Sequence, residues 1–169
     1  MAIERVRQHL ARWGRDTDIL EAEESSATVA LAAEAFGVIP ARIAKSLSFK
    51  VPLQDASAEQ SAPGAMLLVC AGDAKVDNKK FRERFGFKAS MLTPDEALNA
   101  TGHAVGGVCP FGIPEEVAVF LDISLQRFQT VFPACGSANS AIEVTPEELA
   151  EYSGPAGSAG WVDVCKIPE

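Results

Sequence analysis

The run Met66-Leu67-Leu68-Val69-Cys70-Ala71, closed by Gly72, constrains this chain more than any other segment. An unbroken apolar stretch of this length predicts a central strand buried on both faces. The segments around it are shorter and amphipathic. Ile3, Val6, Leu10 and Trp13 recur at helical spacing before Gly14, which predicts a helix over 3–13. A second helix is expected over 27–36, capped by Ser25 or Ser26, stopped by Gly37, and burying Val29, Ala33 and Phe36. Residues 44–51, AKSLSFKV, alternate and read as a strand, and the polar stretch 53–64 reads as a hairpin loop leading to the central run. A helix is expected over 78–85, ending at Gly86. Thr93-Pro94-Asp95-Glu96 and Thr145-Pro146-Glu147-Glu148 each combine a cap, a proline at the first helical position and a glutamate that closes a capping box. Residues 117–123, 130–135, 140–144 and 161–165 are further strand candidates. Short strands mixed with helices predict an α/β (mixed α+β) fold on a mixed sheet, with residues 1–169 as a single domain.

Charge narrows the partners. A net charge of −8 and a pI near 4.8 argue against a protein that coats long nucleic acid, and DNA is not expected as a partner. The positive charge is local: residues 75–88 carry Lys75, Lys79, Lys80, Arg82, Arg84 and Lys88 against Asp77 and Glu83, a net +4. Such a run suits contact with one end of an RNA, or simply a solvated helix face. No apolar stretch is long enough for a transmembrane helix, and the charged N-terminus lacks the apolar core of a secretory signal, so no membrane partner and a cytoplasmic location are expected. Cys70, Cys109, Cys135 and Cys165 show no zinc spacing and are expected to be reduced thiols. No metal and no cofactor are indicated.

The segment Thr101–Ile113, TGHAVGGVCPFGI, holds Gly102, Gly106, Gly107, Gly112 and Pro110. That density predicts an irregular loop whose backbone can approach a ligand, with a plain strand-to-helix turn as the alternative. It is neither a dinucleotide fingerprint nor a P-loop. It contains no carboxylate and no lysine, so any chemistry there runs through backbone groups or through His103 and Cys109. That pair, six residues apart, leaves open a thiol hydrolase.

Three blocks in order resemble the YbaK/EbsC family, which includes the editing insertion domain of bacterial prolyl-tRNA synthetases. They are RIAKSLSFK (42–50) with Lys45, GDAKVDNKKFRERFG (72–86), and TGHAVGGVCPFGI with its Gly106-x-x-x-Pro110 frame. The order of elements over 121–149 also fits: strand, short helix, strand, glycine turn, strand, capped helix. The resemblance runs from about residue 25 to the end. It implies a curved, barrel-like mixed sheet surrounded by helices. It also implies hydrolysis of the ester joining an amino acid to the 3′-terminal adenosine of tRNA, without metal or covalent nucleophile. The implied targets are small amino acids such as alanine or cysteine on tRNA for proline, and a synthetase is a possible partner. Carried onto this chain, the implied catalytic positions are Lys45, Gly106, Gly107 and Pro110. Phe36, Ser46, His103, Val108, Cys109 and Gly136 would touch substrate, and Lys79 and Lys80 would contact tRNA. The chain departs from the family at Cys109, where many relatives have serine, at Ala134, and at Ser137, Ala138 and Asn139, where the YbaK branch carries basic residues. A non-catalytic module holding tRNA ends or a nucleotide is the remaining alternative.

Overall fold

The computed structural model describes residues 2–52, 64–153 and 160–168. The expected loop at 53–64 therefore lies, apart from Gly64, outside the described residues. The apolar run becomes β3 (Gly64–Ala71), the middle of a five-stranded sheet. On one side β3 pairs antiparallel with β2 (Ile43–Val51) over its whole length, from Val51 opposite Gly64 to Ala44 opposite Ala71. On the other it pairs in parallel with β5 (Ala118–Asp122). The short strands β6 (Phe132–Pro133) and β8 (Gly160–Val162) complete the edges, giving the order β6-β2-β3-β5-β8. This mixed sheet is curled into a half-barrel with helices around it. Met66 to Ala71 are at most 1% exposed, so the centre of the sheet is covered on both faces.

The covering helices follow local sequence rules closely. α1 (Ala2–Ala11) buries Val6 and Leu10. It ends two residues before the expected Trp13, because the chain tightens into i→i+3 turns from Leu10 to Gly14, whose φ is 69°. α2 (Val29–Phe36) starts later than expected: Thr28, not Ser25 or Ser26, accepts the Leu31 N–H. The Ser26 N–H is instead bonded to the Ala138 carbonyl. Gly37 stops α2 in the left-handed conformation, as read from the sequence. α3 (Asn78–Phe85) ends at Gly86 as expected, and both capping boxes form, opening α4 (Pro94–Thr101) and α5 (Pro146–Tyr152).

Three strand expectations change. Residues 161–165 divide into β8 and β9 (Cys165–Lys166), because the Asp122 carboxylate takes the Val164 N–H at 2.9 Å and turns the chain out of the sheet. β9 then pairs with β4 (Lys75–Val76) in a separate ribbon. The 130–135 segment keeps only Phe132–Pro133 in the main sheet, since Pro133 has no N–H to extend a ladder. The 140–144 segment shortens to β7 (Ser140–Ala141), which pairs with β1 (Leu20–Glu21).

The main core joins β3 and β5 to Val6 and Leu10 of α1, Phe81 of α3, Phe111 and Leu149. Full burial of each such side chain contributes about 1.5–3 kcal/mol. A smaller cluster of Ala32, Ala33, Ile43, Phe132 and Ala141 fixes α2 against the β2–β6 edge. That edge forms one wall of the cleft described next.

Candidate functional site

β2, the N-terminal end of α2 and the glycine-rich loop converge on a cleft of about 330 Å³. Lys45, Ser46 and Ser48 come from β2, Thr28 and Val29 from the start of α2, and Gly106 and Val108 from the loop. The remaining walls are largely small or apolar and include Ala32, Ala44, Ala97, Ala134 and Ala141. Met91 and Val105, 56% and 62% exposed, also belong to its lining.

Lys45 sits in this cleft with its ammonium oriented from behind. Nζ donates to the Ala74 carbonyl at 2.5 Å and the Gly72 carbonyl at 3.3 Å. These acceptors are neutral. The nearby Asp73 carboxylate is gripped by Arg127 through two bonds, 2.6 and 3.2 Å, and that hydrogen bonding is the main reason its pKa lies below the usual range. Among the described residues Lys45 has no ion pair, so its charge remains available to an anion. Gly72 is required at this turn, because a Cβ there would meet the Pro40 carbonyl oxygen at 2.1 Å.

Gly106 reaches the cleft with φ of 98°, a conformation that disfavours a side chain, and an added Cβ would stand 3.0 Å from Ala27. Gly107 has a different job. Its N–H is bonded to the Ala104 carbonyl and its own carbonyl accepts from the Gly136 N–H at 3.1 Å. A Cβ at Gly107 would come within 2.7 Å of the Gly136–Ser137 peptide. Gly107 and Gly136 thus let two turns lie back to back, and neither belongs to the cleft lining.

Residues 23–152 match the aminoacyl-tRNA editing domain family. The chain belongs to that family, in its YbaK/EbsC type. It is 56% identical over 166 residues to the uncharacterized protein YwhH of Bacillus subtilis, with 98% of each chain covered. It is 26% identical over 87 residues to EbsC of Enterococcus faecalis, described as a proposed Cys-tRNA(Pro)/Cys-tRNA(Cys) deacylase, covering 51% of this chain and 53% of that one. Its fold superposes with a TM-score of 0.81 and 29% identity on a proposed trans-editing enzyme for prolyl-tRNA synthetase, covering 98% and 97% of the two chains. Membership carries the reaction class: this editing domain is a hydrolase of the aminoacyl-tRNA ester.

The remaining expected site residues of the editing domain lie behind the cleft. Phe36 stacks on Phe132 at 6.4 Å and supports the α2 wall rather than lining it. Pro110 is buried outside the lining. His103 and Cys109 do approach each other, at 3.6 Å, but both are 0% exposed. His103 Nε2 is 2.8 Å from the Phe111 carbonyl, an acceptor, so the proton resides on Nε2 and that nitrogen cannot take one from the thiol. Burial pushes the Cys109 thiol up to about 12. A buried, protonated thiol beside a nitrogen that already carries hydrogen lacks the exposed thiolate a nucleophile needs. His103 Nδ1 has no partner, and burial lowers the pKa of the ring.

The basic segment forms a helix with two distinct faces. Phe81, fully buried, packs on Phe49 at 5.0 Å and Phe85 at 4.7 Å. Lys79 and Arg82 are exposed. Lys80, paired with Lys79 in the sequence reading, is tied down instead: its Nζ lies 3.1 Å from both Asp163 and the Cys165 carbonyl. The acidic cap Asp77 accepts from the Lys79 and Lys80 amides.

Among the described residues no group of three or more His, Cys, Asp or Glu is placed to hold a metal ion, and no helix is long and apolar enough to cross a membrane. Several cleft residues were not singled out in the sequence: Thr28, Ser48, Met91, Val105 and Ser140 enter the lining because separate segments meet there.

Proposed function

We propose that this editing domain acts in trans on tRNA mischarged with a small amino acid, alanine or cysteine on tRNA for proline being the leading substrates. The observation that carries the reading is the juxtaposition of an ammonium with no ion pair, Lys45, and a positive-φ glycine, Gly106, in one cleft walled by alanines. Lys45 holds a phosphate or ribose oxygen at the tRNA 3′ end. The backbone around Gly106 approaches the ester and orients water, as the sequence reading assigned to the Gly106–Pro110 loop. Water adds to the ester carbon and the bond to the ribose oxygen breaks. The ribose hydroxyl keeps a proton from that water and the amino acid departs. Positioning of this kind supplies about 7–11 kcal/mol in well-oriented systems, enough for an activated ester. Small walls also suit the biological need, since one methylene separates amino acids by only about 1–3 kcal/mol in a synthetase pocket.

α3 then docks the acceptor stem, with Lys79 and Arg82 among its exposed cations. Asn78 opens this helix four residues beyond Ala74, whose carbonyl holds Lys45, so only the short strand β4 and the Asp77 cap separate the two positive elements. A synthetase that passes on its mischarged product is the natural partner. The test is amino-acid release from a panel of mischarged tRNAs by wild type and Lys45→Ala. The variant is expected to fold and to lose at least about a hundredfold in kcat/KM at limiting substrate. Near-normal turnover would overturn the anchoring role. Docking by α3 predicts a shallow salt dependence of binding, on the order of one to four ion equivalents. That slope should shrink in Lys79→Gln/Arg82→Gln, and an unchanged slope would remove α3 from the interface.

A further inference from the structure

The outer edge of β2 has a gap inside the cleft, centred on Ser46. On its outer edge β2 pairs with β6 only at Ile43 and Ala44. Further along, residues 90–92 take over: the Leu92 N–H bonds the Ser48 carbonyl at 3.0 Å, and the Lys50 N–H bonds the Ser90 carbonyl at 2.8 Å. Along a strand, the N–H and C=O of one residue point to one edge and those of the next residue to the other. Ser48 and Lys50 address the outer edge, so Ser46 does as well. Among the described residues no group pairs with its N–H or C=O there. The Ser46 Oγ is also buried without a partner. The buried Oγ of Ser46 and its N–H and C=O, none with a partner among the described residues, therefore meet in the cleft that Lys45 and Gly106 line.

Sheltered polar groups without partners are costly, and a ligand with matching donors and acceptors relieves that cost. An aminoacyl ester carries an ammonium donor and a carbonyl acceptor on a single α-carbon, the same pair that a strand residue presents. In an antiparallel hydrogen-bonded pair two residues exchange both N–H···O bonds.

We propose that the aminoacyl group of the substrate docks as a one-residue strand in the gap at Ser46. Its ammonium donates to the Ser46 carbonyl, with Oγ as a second acceptor, and its ester carbonyl accepts from the Ser46 N–H. This is strand addition reduced to a single residue. The Ser46 N–H thereby becomes a donor to the oxygen that gains charge during hydrolysis. The ammonium end of the docked group points toward Ser48, whose carbonyl is already taken by the Leu92 N–H, so a chain extended at that nitrogen meets a closed ladder. The inference rests on the deacylase reading above and adds a required free α-amino group to it.

The test compares alanyl- and cysteinyl-tRNA with their N-acetylated forms on the full-length protein. Acetylation removes the charge and extends the nitrogen into the closed ladder, so kcat/KM should fall by at least about a hundredfold. Hydrolysis of free and acetylated forms within about threefold of each other would overturn the proposal while leaving the deacylase reading intact. Failure to hydrolyse any of the four would overturn both. Ser46→Pro removes an N–H that no ladder bond uses among the described residues, a placement sheet edges tolerate. If folded, it should lose about a hundredfold in kcat with KM little changed, unlike Lys45→Ala. A normal kcat in folded Ser46→Pro would overturn the N–H role, and if it fails to fold the acetylated substrates decide.

Discussion

The two faces of the loop from Thr101 to Ile113 differ more than their shared glycine content suggests. Its front, Val105, Gly106 and Val108, lines the cleft. Its back, His103, Cys109 and Phe111, is fully buried. There Phe111 joins the main core, and Gly112 donates to His9 Nδ1 at 3.1 Å. His9 Nε2 in turn reaches the Tyr152 carbonyl, which ties the loop to α1 and α5. The front opens into the cleft, while the back packs into the core, where His103 Nδ1 is left without a partner. The lesson is that the residues of this loop that look most chemical, His103 and Cys109, are buried in the core, while Gly106, with no side chain at all, lines the cleft.

The largest expected effect tests that division directly. Gly106→Ala places a methyl in a positive-φ position beside Ala27 and should cut kcat/KM by about a hundredfold to a thousandfold. Gly107→Ala should act mainly through stability, since its Cβ would strike the Gly136–Ser137 peptide and overpacking costs about 1–3 kcal/mol. Deacylation assays paired with denaturant melts separate the two. Equal losses of stability in both variants, with activity following stability, would erase the distinction between front and back.

Acid should loosen the back face before it affects the front. Burial, the main cause, lowers the pKa of both His9 and His103 below the ordinary value of 6.5. The folded state favours the neutral rings, so their contribution is complete above pH 6.5. As pH falls below that value the unfolded chain binds protons that the folded one refuses, and stability declines toward the depressed folded pKa values. The denaturation midpoint should therefore drop between pH 7 and 5.5, and less steeply in His103→Gln. A midpoint flat across that range would contradict the buried neutral assignment.

The smallest effect belongs to Cys109→Ser. The serine can keep the contact with the Phe111 carbonyl, now 3.7 Å from the sulfur, so the cost should stay below about 1.5 kcal/mol with substantial activity retained. A covalent aminoacyl adduct on Cys109 would reverse the whole reading of the back face.

The central strand, α3, both capping boxes and the stop glycines at 37 and 86 were legible because each depends on a local rule: apolar run, helical spacing, cap chemistry or positive φ. The sequence by itself also determined the family, since its three blocks match in order. Where the rules are non-local it misled. Thr28 took the cap from Ser25 and Ser26 because Ser25 and Ser26 turn toward the Ala138 carbonyl, a partner more than a hundred residues away. Residues 161–165 broke in two because Asp122 captured the Val164 amide. The tertiary structure alone decided which glycine lines the cleft and which faces another turn. It also separated Lys79 from Lys80, and it left Ser46 in a gap between two partial ladders. Each of those outcomes is set by what another segment brings to within a few ångströms, and the order of residues along the chain does not record that distance.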